Sequence, residues 1–383
     1  VQRRDRRRWP AGGEALTVRP SRRDFLATAA AAGLGWGRAP GAAERQMGRG
    51  ESTGAALPRI WTWVHGGQDR TPDEWRRRFS RLRDAGFEAV LVSGGSVAML
   101  SDAAREAGLA FHRWTWTLNR SGDAFVKDAH PDWFTVSRRG QSSLTTPPYV
   151  GYYQWLCPTK PAVRAYLADR IDDIARDASV DGVHLDYVRH CDVILPVGLW
   201  AKYGLVQDHE MPEFDFCYCE TCREVFASET GRDPLELADP PSDEAWRVFR
   251  WRGVTELVTE LAARVHDRKK PITAAVFPTP QLARRLVRQA WDLWPIDAVF
   301  PMLYHGFYNE DVAWIGRSVR EGTRALRPGC ALHAGLYLPD LPPDALGEAV
   351  KTALEAGAAG VSTFEMNGLT DTHLEAVAKV IQS

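Results

Sequence analysis

The sequence predicts a single (β/α)₈ barrel over residues 57–383, and three observations predict it. Eight short apolar stretches, rich in Val, Ile, Leu and aromatic residues, alternate strictly with eight stretches of helical period. The first apolar stretch is followed only by Gly66-Gly67, not by the glycine-rich phosphate turn of a doubly wound open sheet. The chain has 383 residues, which suits one large barrel with insertions once residues 1–50 are set aside as an export segment.

The predicted strands follow the chain, and each is followed by a helix. The strands are expected at 59–65, 88–93, 110–117, 183–188, 272–277, 296–304, 331–337 and 360–366. The helices are expected at 71–84, 97–107, 161–177, 243–266, 310–326, 343–356 and 372–381. One more helix is expected after strand five, ending near residue 290. Thr71 and Pro72 supply an N-cap and a first-turn proline for the first helix. A long loop precedes residue 160, and residues 190–241 form an insertion after strand four.

The first 50 residues differ in charge from the rest of the chain. They carry a net charge of +7, so the remainder carries −8 within an overall −1. Arg22-Arg23, followed by a short run of alanines, is typical of a twin-arginine signal peptide. We therefore expect export by the twin-arginine machinery to the periplasm or beyond; the alternative is a disordered basic tail. The run is too short to span a bilayer, and the acidic remainder argues against nucleic-acid binding.

The stretch Asp181–Arg189 is the central strand of the prediction. Its apolar core is broken by Asp186, near the end where a barrel strand meets the active-site face. A charged carboxylate in such a run costs free energy unless it is paired with a cation, exposed to solvent or needed for catalysis. Asp186 is therefore the first candidate catalytic group, with a structural pairing to Arg189 or a histidine as the alternative. Asp181, at the other end, is expected to be a turn residue.

Three cysteines fall within six residues in Cys217-Tyr-Cys219-Glu-Thr-Cys222. Three such thiols can converge on one ion, and a fourth from elsewhere completes a tetrahedral zinc site. Disulfides are the alternative, because export permits them. The sequence gives no indication of an organic cofactor.

Two segments resemble a known family. Residues 217–226, with the cysteine run, look like the zinc segment of glycoside hydrolase family 42 β-galactosidases, and residues 157–164 look like the segment that supplies its other cysteine. The resemblance implies a closed, structural zinc site that pins the insertion to the barrel. Its implied ligands are Cys157, Cys217, Cys219 and Cys222, with Cys191 in reserve.

The resemblance to family 42 ends at strand four. That family carries Asn-Glu there, whereas this chain carries Asp186-Tyr187 and has no Asn-Glu pair, so β-galactosidase activity is not implied. The sequence of strand four is more similar to that of the glycosyl hydrolase-like family 10 barrels. The same holds for Pro-Met-Leu-Tyr-His over 301–305. This likeness implies an enzyme that acts on a polysaccharide or cell-wall glycan.

Glycoside hydrolysis uses two carboxyl groups across the scissile bond. We expect Asp186 to act as nucleophile or general base and Glu365, at the end of strand eight, as general acid. Asp340, Glu310 and Asp311 are lesser candidates for the second carboxyl group. If none is positioned, substrate-assisted hydrolysis of an N-acetyl sugar becomes the expected chemistry.

Several other residues near strand ends suit sugar recognition. The predicted substrate-binding residues are His65, Arg113, Trp116, His184, Arg189, Tyr304 and His305. Trp116 is a candidate for stacking on a pyranose, and the excess of 15 Trp over 10 Tyr fits that use. Trp61 and Trp114, deeper in their strands, are expected to pack the barrel. His184 shares the face of Asp186 and is equally well explained as a core residue.

Two other function classes stay open. One is a non-catalytic barrel that binds glycans, because the second carboxylate is uncertain. The other is metal-dependent hydrolysis of a different bond by the cysteine cluster. The second ranks last, because a catalytic zinc keeps an open position beside His or carboxylate ligands, and the cluster has none nearby in sequence.

Overall fold

The structure, a computed structural model, describes residues 57–382. Eight parallel strands close into a barrel in the order β1 to β8, which confirms the predicted fold class. The strands are β1 Ile60–His65, β2 Ala89–Ser93, β3 Ala110–Trp116, β4 Gly182–Asp186, β5 Ile272–Val276, β6 Ala298–Pro301, β7 Ala331–Tyr337 and β8 Gly360–Phe364. Pairing of Trp61 with Ser362 closes the sheet on itself. The predicted export segment lies outside the described residues.

Helices cover the outside of the barrel. They are α1 Pro72–Asp84, α2 Val97–Glu106, α3 Ala124–Ala129, α4 Pro161–Arg176, α5 Trp200–Tyr203, α6 Glu220–Thr230, α7 Glu244–Asp267, α8 Pro280–Val287, α9 Val312–Ala325, α10 Pro343–Glu355 and α11 Asp371–Ile381. Thr71 and Glu74 form a reciprocal capping box at α1, as its sequence predicts. Over residues 57–382, no helix is both long and apolar enough for a membrane crossing.

Two parts of the chain differ from the sequence prediction. Helices α3, α5 and α6 lie where only a loop and an insertion are expected; α3 and α5, with 6 and 4 residues, are too short to show a clear helical period. Strand β6 ends at Pro301 instead of Tyr304: beyond it only Met302 forms a bridge, to Gly335. The chain then turns at Tyr304 into a 3₁₀ helix over His305–Tyr308, so the predicted site residues Tyr304 and His305 both lie beyond the strand.

The insertion is fixed to α7 and α8 by buried ion pairs. Asp215 pairs with Arg250, and Glu210 pairs with Arg288. Burial opposes ionisation of Asp215, yet the two arginines hold the pKa of its carboxyl below the usual range. Tyr218 donates a further hydrogen bond to Asp215 at 2.6 Å. Paired, hydrogen-bonded charges of this kind fix one arrangement of the chain, because separating either pair leaves a buried charge alone.

Aromatic and histidine side chains fill the barrel interior. Trp61 contacts the ring of His112 at 4.8 Å, and Phe300 stacks on His333 at 4.8 Å between ring centroids. A side chain at Gly182 would collide with the His112 ring, so the glycine leaves room for the imidazole. Burial lowers the pKa of His112 to about 3 and that of His333 to about 4. These histidines are therefore neutral in the folded protein at neutral pH.

We expect mild acid to destabilise the fold through these histidines. Their pKa is about 6.5 in the unfolded chain and lower in the folded one, so the unfolded state binds more protons below pH 6.5. Above that pH the histidines are neutral in both states, so the free energy of unfolding has its full value there. Each histidine then costs about 2 kcal/mol in the free energy of unfolding by pH 5. Urea unfolding of His333→Gln should show about 2 kcal/mol less loss between pH 7 and pH 5 than wild type.

The control is His209→Gln, because the side chain of His209 is 70% exposed. It should keep the pH dependence of wild type. An unchanged slope in His333→Gln would contradict the assignment.

Candidate functional site

Asp186 ends β4 at the C-terminal mouth of the barrel, and two donors hold its carboxyl group. Its Oδ2 accepts a hydrogen bond from Trp114 Nε1 at 3.0 Å, and its Oδ1 accepts one from the backbone N–H of Tyr187 at 2.6 Å. Tyr187 has a φ of +49°, a left-handed conformation that a tyrosine rarely adopts. Strained backbone of this kind concentrates at functional sites, where surrounding contacts must hold it in place.

The surroundings of Asp186 favour its protonated form. Burial raises the pKa of its carboxyl, while the Tyr187 and Trp114 donors and the charges of Arg189 and His65 partly offset that rise. A carboxyl held this way retains a proton at higher pH than an exposed aspartate. It is suited to proton transfer, because its pKa lies closer to the working pH.

Two of the predicted binding residues surround Asp186. The ring of His65, at the end of β1, lies 4.9 Å from that of Trp114. Tyr304 lies beyond β6, with its ring 5.0 Å from Tyr337. Burial raises the pKa of Tyr304, and the nearby charge of Asp186 adds to the shift. The mouth therefore brings together a carboxyl, an imidazole and a phenol.

Aromatic side chains form one rim of the mouth. Trp116 is half-buried at the end of β3, with its ring 4.8 Å from Tyr187 and 6.2 Å from Tyr152. Tyr152 is 46% exposed. An exposed ring beside a half-buried indole provides a flat apolar face for a sugar ring. The use of Trp116 as a sugar-binding subsite stays a prediction. Tyr152, in the long loop, also belongs to this rim, although the sequence pattern did not identify it as a site residue.

Three other predicted binding residues make close contacts within the protein. His184 is buried in the barrel interior, with its Nδ1 2.8 Å from Thr273 Oγ1. Arg189 is buried in an ion pair with Asp192 at 2.9 Å. Arg113 donates to the carbonyl oxygen of Gly94 at 2.9 Å. The contacts of Arg189 and Arg113 account for those side chains without a ligand, whereas Nε2 of His184 is buried without a hydrogen-bond partner in the described residues.

Glu365 lies just beyond β8, on the side of α1. Its Oε2 accepts a hydrogen bond from Asn367 at 3.1 Å, and Asn367 accepts one from Arg70 at 2.9 Å. Glu365 also lies close enough to Arg78 for its charge to favour that guanidinium. These partners are separate from those of Asp186, so the two carboxyl groups predicted as a catalytic pair occupy different surroundings.

The lesser acidic candidates also differ from one another. Glu310 and Asp311 pair with Arg317 at 3.0 and 3.3 Å, and Asp311 caps α9. Asp340 follows β7, and within residues 57–382 its Oδ2 has no hydrogen-bond partner although it is buried.

The four cysteines named by the resemblance converge. Their sulfur atoms all lie within 4.8 Å of one another, with Cys157 3.4 Å from Cys222 and 3.7 Å from Cys219. A tetrahedral zinc with bonds of about 2.3 Å separates its sulfurs by about 3.8 Å, so the spacing fits a metal site. The Cys217 sulfur accepts N–H bonds from Val136 and Cys219, which stabilise a thiolate. Cys191 and Cys330 lie outside this group.

Comparisons with known proteins connect this fold to glycoside hydrolases. No protein-family model and no curated protein sequence matches the chain. Among solved structures, the PgaB (BpsB) glycoside hydrolase domain of Bordetella bronchiseptica is similar at a TM-score of 0.62 and 13% identity, covering 84% of this chain and 98% of that one. The catalytic domain of Paenibacillus polymyxa β-amylase gives 0.60 and 11%, covering 85% and 99%.

A β-galactosidase from Bacillus circulans sp. alkalophilus gives a TM-score of 0.54 at 13% identity, covering 85% of this chain and 56% of that one. At these identities the likeness shows a shared barrel fold.

We expect Trp114→Phe to raise the pKa of Asp186 further. The change removes one of the two hydrogen bonds that stabilise the ionised carboxylate, which should shift the pKa by about one unit. The measurement is carboxyl ¹³C NMR on aspartate-labelled protein, with the Asp186 signal identified by its loss in Asp186→Asn. Trp116→Phe, two residues along the same strand, is the matched control and should leave the titration in place.

Proposed function

We propose that the protein is a glycosidase whose proton-transferring group is Asp186. The observation that carries this proposal is the half-buried carboxyl at the barrel mouth, with its raised pKa and two fixed donors. Active sites of (β/α)₈ enzymes lie at this face. The aromatic rim gives a sugar ring an apolar surface, and the glycoside hydrolase barrels of similar fold support the same reaction class.

The raised pKa favours an acid role for Asp186. Its proton passes to the glycosidic oxygen as the bond from that oxygen to the anomeric carbon breaks, and a water molecule then adds to the carbon and gives up a proton to the second carboxyl group. The sequence suggests the reverse assignment, with Glu365 as the acid. Glu365 remains the candidate for the second carboxyl group, held by Asn367. Substrate assistance by an N-acetyl group is the alternative for that role.

We expect Asp186→Asn to reduce kcat/KM by 100-fold or more, because it removes the transferable proton. Reducing-end release would be measured across plant, algal, bacterial and peptidoglycan glycans. Wild-type activity should fall as pH rises through the pKa of Asp186, since deprotonation removes the acid. Asp181→Asn, at the other end of the same strand, is the control and should keep its activity.

Full activity in Asp186→Asn would refute the role of this residue. Saturable glycan binding by wild type, without product release, would indicate instead the binding barrel that the sequence leaves open.

The cysteine cluster supports a structural zinc site. Cys157, Cys217, Cys219 and Cys222 would hold the ion, which would tie α4 and the insertion together through α6. A four-thiolate site has no open position for substrate, so the ion would contribute stability and take no part in the reaction. Export of the folded, metal-loaded protein through the twin-arginine pathway remains part of the same proposal.

We expect purified protein to contain one zinc per chain, and Cys219→Ser to lose it along with several degrees of melting temperature. The structural reason is that one of four ligands tying the insertion to the barrel is removed. The measurements are elemental analysis by mass spectrometry and thermal unfolding. Cys330→Ser is the control, since Cys330 is outside the cluster. Metal-free wild type with unchanged stability would contradict the site.

A further inference from the structure

The loops after β6 and β7 carry two buried polar atoms that lack hydrogen-bond partners in the described part of the chain. They are Nδ1 of His305 and Oδ2 of Asp340. A buried polar atom without a partner destabilises the fold, so proteins leave few of them without a reason. Both residues lie on loops that follow barrel strands, at the end of the barrel that carries Asp186, where a ligand can supply the missing bond.

The two loops that carry these groups approach each other closely. Gly306 follows His305 directly, and a Cβ at that position would collide with the carboxylate of Asp340. Only a glycine therefore lets the loop after β6 lie against the carboxylate from the loop after β7. The two loops are short 3₁₀ turns, His305–Tyr308 and Leu338–Asp340, which hold both side chains in place.

A pair of tyrosine rings connects this corner with Asp186. Tyr304 and Tyr337 lie 5.0 Å apart between ring centroids, and each is also near Phe364. The charge of Asp186 acts on Tyr304, and the charge of Asp340 acts on Tyr337. The ring pair therefore separates the two carboxyl groups along one side of the mouth.

The acidic side chains in the loop after β6 already have ion-pair partners. Glu310 and Asp311 pair with Arg317, and Asp311 caps α9. Asp340 has no ion pair in the part of the chain that the structure describes. The carboxylate without an ion pair is thus the one that lies against Gly306, next to His305 in the chain, and acts on Tyr337, rather than Glu310 or Asp311.

We propose that Asp340 and His305 form a hydroxyl-binding subsite that holds a pyranose ring against the Tyr304–Tyr337 pair. This inference rests on the proposed glycosidase function and adds the part of the site that fixes the sugar. The carboxylate accepts a hydrogen bond from one ring hydroxyl. The imidazole nitrogen donates to, or accepts from, a neighbouring hydroxyl according to its tautomer. The tyrosine faces cover the apolar C–H surface of the ring.

The test measures the binding of three methyl glycosides, those of β-glucose, β-galactose and N-acetyl-β-glucosamine. Asp186→Asn serves as the parent protein, so that hydrolysis does not interfere. Asp340→Asn and His305→Gln are added to this parent, and Glu310→Gln is the matched control from the same loop region. Dissociation constants come from tyrosine and tryptophan fluorescence, checked by NMR of labelled histidine rings.

At least one glycoside should bind the parent saturably and shift the ring signals of His305. Asp340→Asn should weaken that binding about tenfold or more, since a hydrogen bond to a charged group is lost. Glu310→Gln should bind as the parent does. Asp340→Asn replaces no hydrogen bond of Oδ2 within the protein, so its melting temperature should match the parent's, which separates lost binding from lost folding.

Equal affinity in the parent and in Asp340→Asn would overturn the subsite. So would the absence of binding by all three glycosides. These outcomes are distinct from failure of the proposed function, which is decided by product release in wild type and its loss in Asp186→Asn. Weakened binding in Asp340→Asn together with no product release from any glycan would support the subsite in a barrel that binds without cleaving.

Discussion

The hydrogen bond from Trp114 to Asp186 is the contact on which the candidate site depends. It joins neighbouring strands, because Trp114 lies on β3 and Asp186 ends β4. Without fixed donors, a carboxyl at this depth would either take up a proton outright or draw water into the mouth. With them, the group stays in one orientation and keeps a pKa that burial has raised. Strand pairing thus sets both the place and the chemistry of this carboxyl.

The loops above the barrel maintain this arrangement. The left-handed backbone at Tyr187 turns the chain immediately after Asp186, and the buried ion pair of Arg189 with Asp192 fixes the segment that follows. The guanidinium of Arg189 also lies 4.9 Å from the ring of Trp155, which belongs to the loop before α4. The segment after β4 and the loop before α4 are therefore joined next to Asp186. The cysteine cluster joins the same two connections further out.

The barrel could be predicted from sequence because its cause is local. A buried parallel strand needs a short apolar run, and an outer helix needs an apolar stripe, so the alternation shows in the order of residues. Asp186 was identifiable because a lone carboxylate interrupts such a run. The role of Trp114 was not: its indole serves both as barrel packing and as a donor to Asp186, and only the register of β3 against β4 distinguishes the two uses.

The acidic candidates show where sequence reasoning ends. Glu365, Asp340, Glu310 and Asp311 all follow strands, and the sequence ranks Glu365 first only because it directly ends the apolar run of strand eight. The structure separates them by what each side chain already binds: Asn367 for Glu365, and Arg317 for Glu310 and Asp311. These partners lie only two to seven residues away, but which side chains meet depends on how the loops fold, so the sequence pattern alone does not identify them.

Buried polar atoms without partners have two different settings in this protein. His333 lies deep among the rings of Trp61 and Phe300, where the neutral imidazole packs as an aromatic side chain and closed strands exclude a ligand. His305 and Asp340 lie on loops at the open end, where a ligand can enter. An unmet hydrogen bond in the first setting is a cost of packing, which greater burial elsewhere offsets. In the second, the same deficit favours binding, because a sugar hydroxyl restores the bond that folding left unmade.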